Sequence, residues 1–408
     1  MTKKQYRTYI LVLGLLTALG PFSIDMYLPG FDEIAQSLHT DVATVALSLS
    51  SYFIGVSLGQ LLYGPLLDRY GRKKPLYVGL AVYLVSSALC MQAGTIHMLI
   101  ILRFVQALGS CAATVAAMAM VRDLFEVKDS ARVFSLLLLV VGASPMIAPT
   151  AGGYIASTFG WRTIFLVLLL LGALISLAAI FFLPESRAAN REFSLKPRPI
   201  VLNFLSVLKN PQFLTYTLVN ALAFAGLLIY VSGSPLVFMD IYHVDKKTYG
   251  WIFAFLSVAF IGLGQFNGLL LKRYNSEQII WVALSGQVLV LVVFLLGNMA
   301  GWFGLGYTIF FIFLFLACLG FSNPNSAALS LAPFSENAGS ASAILGTLQI
   351  GVGAVASACL SAFKNTSATP MIAIMTITSA LALLTLIIGR RSGSSVPVHP
   401  VVQQHIHP

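Results

Sequence analysis

The chain has 408 residues, of which 58% are hydrophobic and 9% charged, with a mean hydropathy of +0.88 and a formal net charge of +10. Soluble domains carry about 25% charged residues, so a soluble enzyme or soluble nucleic-acid binder is excluded. In lipid only helices and closed barrels satisfy the backbone, and these apolar runs are too long and uniform for alternating barrel strands, which leaves a helical bundle.

The start, MTKKQYRTYI, has the basic character of a signal peptide, but no small-residue cleavage site follows and the apolar run continues, so a retained first helix is expected. With about 20 apolar residues needed per crossing, twelve spans are predicted. The first six are Thr8–Pro29, Val42–Leu67, Pro75–Gly94, Met98–Met120, Ala131–Ile155 and Thr163–Pro184. The second six are Gln212–Pro235, Tyr249–Leu271, Gln278–Gly297, Leu305–Ser330, Ala338–Phe363 and Thr369–Gly389. The organisation expected is a first half over 1–184, a linker over 185–211 with an amphipathic surface helix, a second half over 212–389 and a disordered tail over 390–408. His405 and His407 in that tail are read as solvated rather than metal-binding. Cys90, Cys111, Cys318 and Cys359 lie inside apolar runs without metal or disulfide spacing and read as packing residues.

Lys and Arg set the orientation. With the N-terminus in the cytoplasm, 19 of the 24 basic residues fall on inner segments and 4 (Arg162, Lys246, Lys247, Lys364) on outer ones, with Arg103 inside a helix. That bias accounts for the basic balance, so no nucleic-acid partner is needed.

Along the spans, Asp25 in F-S-I-D-M-Y-L-P-G is the one acid well inside an apolar run. An ionisable group there is a functional candidate by default, the other reading being a helix-end carboxylate facing water. G-P-L-L-D-R-Y-G-R-K-K, Gly64–Lys74, joins spans two and three; its glycines permit close approach and a tight turn, and Asp68 sits among Arg69, Arg72, Lys73 and Lys74. Arg103 shares a helix face with Gln106, Ser110 and Ala113 in span four. It either snorkels to the interface or is paired inside, and the shared face favours pairing. Asp25 and Arg103 fall at similar depths, about 6 and 7–8 Å below one face, so each is the other's expected partner. S-P-M-I-A-P-T-A-G-G, Ser144–Gly153, gives span five small residues and the prolines Pro145 and Pro149. The second half offers neutral amides, and Pro324 between Asn323 and Asn325 predicts a broken span ten. The halves repeat weakly: Gly64–Gly71 aligns with Gly268–Asn275, each following L-G-Q, which places a substrate site between the halves near the midplane.

These motifs resemble the major facilitator superfamily, and within it the twelve-helix proton-coupled drug antiporters of the Bcr/CflA group, to which D-M-Y-L-P points. The likeness covers the chain up to Gly389. It departs at Ser144 and Ala148, which stand where the antiporter motif G-x-x-x-G-P-x-x-G-G has glycine, and at Lys272, which stands where the first repeat has Asp68.

The resemblance implies an all-α major facilitator fold in a bacterial inner membrane, both termini cytoplasmic, working as a monomer with lipid, protons and a small-molecule substrate as partners and no nucleic acid. It implies export of small amphipathic compounds such as antibiotics by alternating access, driven by the proton gradient without a cofactor. Asp25 is then the proton carrier and Arg103 its counter-charge. Tyr27, Gln106, Ser110, Asn220, Gln265, Asn323, Asn325 and Gln349 line the substrate cavity; Gly64, Asp68, Arg69, Gly71, Arg72 and Asp123 form a latch, with Asp68 meeting the start of span eleven near Asn337–Ser340 in an outward-open state; Pro145, Pro149, Gly152 and Gly153 carry the antiporter motif. The competing readings are a proton-coupled importer or exporter of a small metabolite (nucleoside, amino acid or dipeptide, sugar), a non-transporting receptor, which lacks a signalling domain, and a membrane enzyme, for which no convergent acid–base or metal set is present.

Overall fold

A computed structural model describes residues 2–190, 197–334, 338–363 and 367–391. The end of the expected tail, with His405 and His407, lies outside them. Twelve long helices stand where the twelve spans were expected: α1 Lys3–Asp25, α2 Val42–Tyr70, α3 Lys73–Met91, α4 Ile96–Leu124, α5 Val127–Phe159, α6 Trp161–Phe182, α7 Pro211–Pro235, α8 Lys246–Gly264, α9 Ser276–Met299, α10 Leu305–Leu331, α11 Ala338–Leu360 and α12 Thr369–Arg391. Among the described residues eleven helical paths are long and apolar enough to cross a bilayer, and α5, of 33 residues, occupies the place of the remaining span.

Helix starts are written in the sequence. The first N–H groups of a helix lack internal partners, and short polar side chains accept them: Asp41 from Thr44 N, Thr95 from Met98 N, Asn210 from Phe213 N and Asn275 from Gln278 N. Asp245 does so for α8, and its hydrogen bonds from Thr248 hold its carboxyl below the usual range. That cap is intact above ordinary carboxylate pKa values and is lost as pH falls through its own. At Gly71 the chain turns from α2 to α3 with φ +82°, where a Cβ would meet Glu185 Oε2 and the Arg187 carbonyl at 3.1 and 3.2 Å. Gly64 differs from expectation: a Cβ there meets nothing within 4 Å.

Helices α1–α6 and α7–α12 form two groups, joined along α2–α11 and α5–α8. In the α2–α11 seam, Ser57 Oγ donates to the Thr347 carbonyl (2.9 Å), Thr347 Oγ1 donates to the Ser57 carbonyl (3.1 Å), and Ser50 Oγ lies 2.9 Å from Ser357 Oγ. The α5–α8 seam depends on glycine: a Cβ on Gly153 would lie 2.5 Å from the Lys246 carbonyl oxygen, and one on Gly250 2.7 Å from Thr150 Cα. On the side away from the basic loops, Glu33 Oε2 in the short helix Phe31–Ser37 takes a 3.0 Å salt bridge from Lys246 Nζ of α8.

The outer surface is apolar. Leu166, Leu170, Leu174, Leu177 and Phe181 form one stripe on α6, with exposures from 37% to 75%. Hydrocarbon, not water, is the solvent that such a stripe fits.

Two spans depart from expectation. Span one does not end near Pro29: a turn at Leu28–Gly30 leads straight into Phe31–Ser37, so Asp25 precedes the end of the helical path by on the order of 15–20 Å. Span ten is not broken, since α10 runs through Pro324. Proline removes one donor, and here side chains take up neighbouring carbonyls: Asn325 Nδ2 donates to Phe321 O at 2.8 Å and Ser326 Oγ to Ser322 O at 2.7 Å.

The seam predicts a contrast between two glycines. Gly250→Leu should lower the melting temperature of the solubilised protein by several degrees, because about 1 kcal/mol moves a large domain 2–4 °C. Gly64→Ala should leave it unchanged or raise it. Equal losses in a thermal-shift measurement would contradict the assignment of close packing to Gly250 alone.

Candidate transport site

Proline four residues ahead of Asp25 denies its carbonyl a helical donor, so α1 stops at Asp25 and its last carbonyls are open. Arg103, fully buried on α4, fills one of them: Nη2 donates to the Ser23 carbonyl at 2.9 Å. A cation at a helix C-terminus also meets the negative end of the dipole. Nη1 donates to Gln106 Oε1 at 2.6 Å, and the guanidinium carbon lies 4.5 Å from the centre of the Tyr27 ring and 4.3 Å from that of Tyr52. The shell continues outward. Gln106 Nε2 donates to Ser87 Oγ (2.8 Å), Ser23 Oγ lies 2.8 Å from Tyr83 Oη, Tyr52 Oη 2.7 Å from Ser110 Oγ, and Tyr27 Oη 2.9 Å from Ser48 Oγ.

The expected Asp25–Arg103 pair is therefore absent in this conformation. Ser23 and Asp25 are two residues apart on α1 and face different ways, and it is the Ser23 carbonyl that Arg103 reaches. Asp25 is 5% exposed, and among the described residues burial is all that acts on its carboxyl: no hydrogen bond and no cation is set against it. It lies within electrostatic reach of Tyr230 on α7 and Tyr249 on α8, across the boundary between the helix groups. The Tyr230 hydroxyl has no hydrogen-bond partner, while Tyr249 Oη is 2.8 Å from Ser234 Oγ. Tyr27, Gln106 and Ser110, expected in a substrate cavity, are instead buried members of the Arg103 network.

In the second group Asn220 Nδ2 donates to Asn323 Oδ1 (2.8 Å) and Ser326 Oγ (2.9 Å), and Gln349 Nε2 donates to Asn323 Oδ1 at 2.9 Å. Three of the predicted amides thus meet, joining α7, α10 and α11. Two do not. Asn325 turns to the end of α8, donating to Asn267 Oδ1 at 2.7 Å. Gln265 is exposed where α8 ends, its backbone N–H closing the last turn onto Gly262 O, so it leaves the cavity set.

On the basic side, Arg72 Nε is 2.7 Å from Asp123 Oδ2 and Nη1 3.0 Å from Asp68 Oδ1, while Arg187 Nη1 is 3.7 Å from Asp68 Oδ1. Glu185 Oε1 accepts Arg72 N at 2.7 Å. Arg69 lies half-buried in the last turn of α2. Among the described residues Asp68 is held within its own half and by the linker; Asn337, where the outward-open contact with the start of α11 is expected, lies outside them. In the antiporter motif α5 continues through Pro145 and Pro149, and Gly152 backs directly onto Met26.

Sequence reasoning missed Ser23, Tyr52, Tyr83, Ser87, Tyr230 and the Glu33–Lys246 bridge. Ser and Tyr in spans are too common to single out. An acid and a base facing each other near opposite-side loops was the one available signal for the bridge.

The sequence profile described as "Major Facilitator Superfamily" matches residues 13–358. The chain belongs to this superfamily. It is 31% identical over 370 residues to a bicyclomycin resistance protein homolog of Haemophilus influenzae, covering 89% of this chain and 91% of that one. It is 30% identical to the multidrug resistance protein MdtL of Klebsiella pneumoniae strain 342, over 84% of this chain and 85% of the other. The crystal structure of a D-xylose-proton symporter shares the fold, with a TM-score of 0.74 at 13% identity over 93% of this chain and 97% of that one. The superfamily member described here is accordingly a multi-pass membrane transporter of small molecules and not an enzyme.

The different surroundings of the two ionisable groups predict different costs. Arg103→Lys loses the forked geometry and strands a buried acceptor, which costs about 1–3 kcal/mol. Asp25→Asn keeps the shape without a buried unpaired charge and should be neutral or stabilising. Thermal unfolding in detergent measures both, and the reverse order would refute the assignment.

Proposed function

We propose that this transporter exports small amphipathic molecules, antibiotics among them, in exchange for protons. The observation that carries the reading is Asp25: a buried carboxylate inside a membrane-length helical path, with no cation or hydrogen bond set against it among the described residues. A group so placed binds a proton, or yields it to a competing ligand, at the point where both halves feel the change. The names of the bicyclomycin and multidrug resistance relatives support the substrate class. Tyr230 and the amides Asn220, Asn323 and Gln349 supply neutral polar contacts suited to an uncharged or weakly charged substrate.

In this reading the basic side is cytoplasmic, both termini lie there, the protein works as a monomer in the bacterial inner membrane, and the proton gradient is its energy source without a cofactor. The Glu33–Lys246 bridge closes the outer side. Asp68, Arg72 and Asp123 belong to the element that rearranges when the cytoplasmic side closes in turn.

Asp25→Asn should abolish uncoupler-sensitive efflux while the protein remains in the membrane at wild-type level. Accumulation of labelled antibiotics and metabolites, with and without an uncoupler, reads direction, energy source and substrate together. Wild-type efflux against a gradient by the Asn variant would place the proton site elsewhere.

Glu33→Gln should raise the outward-open population. A partly exposed pair contributes about 0.2–1 kcal/mol, up to about fivefold in the ratio of states. Distances between spin labels on the outer ends of α2 and α8 report it, and an unchanged distribution would remove the bridge from the gate.

A further inference from the structure

The helix Pro197–Leu208 between the halves takes no part in the site above. At 100° per residue its side chains fall into sectors. Phe204, Val207 and Leu208 face α7 and α11, packing with Phe213, Ala341 and Ile344, and Asn203 Nδ2 donates to Ser340 Oγ at 2.8 Å. Roughly a right angle away, Val201, Leu202 and Leu205 are 49%, 56% and 47% exposed. Arg198 and Lys209, both exposed, fall in that same sector at either end of the strip. Lys209 is followed directly by Asn210, which caps α7. The strip therefore lies level with the entry of a membrane span, on the side that carries the basic loops.

An apolar strip with a cation at each end, at the mouth of a span, fits the boundary between acyl chains and phosphates. We propose that this helix docks on the leaflet of the basic side, with Val201, Leu202 and Leu205 in the acyl boundary and Arg198 and Lys209 on the phosphates of acidic phospholipids. Because its neighbouring sector is packed on α7 and α11, the docked helix fixes the second half relative to the bilayer surface while the first half moves. The inference rests on the membrane embedding of the fold, not on proton coupling.

The test uses the full chain with Cys359→Ser, which removes the exposed cysteine, in vesicles of phosphatidylcholine alone or with one third phosphatidylglycerol. A nitroxide at Leu205→Cys should be accessible to oxygen and shielded from a water-soluble nickel chelate, and one at Ser206→Cys, about 100° round the helix, the reverse. The contrast at position 205 should grow several-fold with phosphatidylglycerol, and Arg198→Gln with Lys209→Gln should abolish that growth. Val201→Cys gives the same reading if the label at 205 perturbs the helix. Nickel access at 205 equal to that at 206 in both vesicles overturns the docking. A contrast indifferent to phosphatidylglycerol overturns the acidic headgroup assignment, and dipolar broadening between labels shows that a second copy covers the strip instead.

Discussion

A guanidinium buried among neutral groups organises the first half of this transporter. Removing an arginine from water costs several kcal/mol. Two charge-assisted hydrogen bonds at about 1.5–3 kcal/mol each and two desolvated ring faces at about 2 kcal/mol each are of the same size, so Arg103 is tolerated without a carboxylate. The acceptors and rings come from α1, α2 and α4, and α3 joins through Ser87 and Tyr83. The break in α1 at Asp25 makes this possible, since an unbroken helix would have no free Ser23 carbonyl to offer.

That solution leaves Asp25 on its own. Had Arg103 paired with it, the pair would have been an internal brace of one half. Instead the carboxylate lies within electrostatic reach of Tyr230 and Tyr249 of the other half. The second half is braced by the amides of Asn220, Asn323 and Gln349. One half is held by a cation and the other by neutral hydrogen bonds.

The twelve spans were legible because lipid imposes a length and an apolar composition that few other constraints imitate, and caps such as Asp41, Thr95 and Asn210 mark the ends. Depth along a span was less legible. Pro29 looked like a terminus, yet a single turn carries the path on to Ser37, and Pro324 looked like a break, yet Asn325 and Ser326 occupy the neighbouring carbonyls. In both places a proline was read as a helix end although it removes only one donor and the path can continue past it. The Asp25–Arg103 expectation failed for a different reason. Depth was estimated from residue counts, but which face of α1 meets α4 is settled by packing, and two residues of rotation replaced a carboxylate with a carbonyl.

The two seams between the halves differ in a way that bears on motion. Along α2–α11, Ser57 and Thr347 exchange hydrogen bonds with each other's carbonyls, and Ser50 continues through Ser357 to Ser232. Along α5–α8, Gly153 and Gly250 bring backbone close to backbone, and Ile261 of α8 packs over Gly142 of α5. Directional hydrogen bonds fix the register of the first seam, whereas the second depends on shape and small residues. At the opposite side the halves also meet through the partly exposed Glu33–Lys246 bridge, worth about 1 kcal/mol or less, and through Lys247 Nζ, 4.9 Å from the centre of the Tyr154 ring. Contacts this weak can be broken and remade on every cycle of a protein that must visit two states.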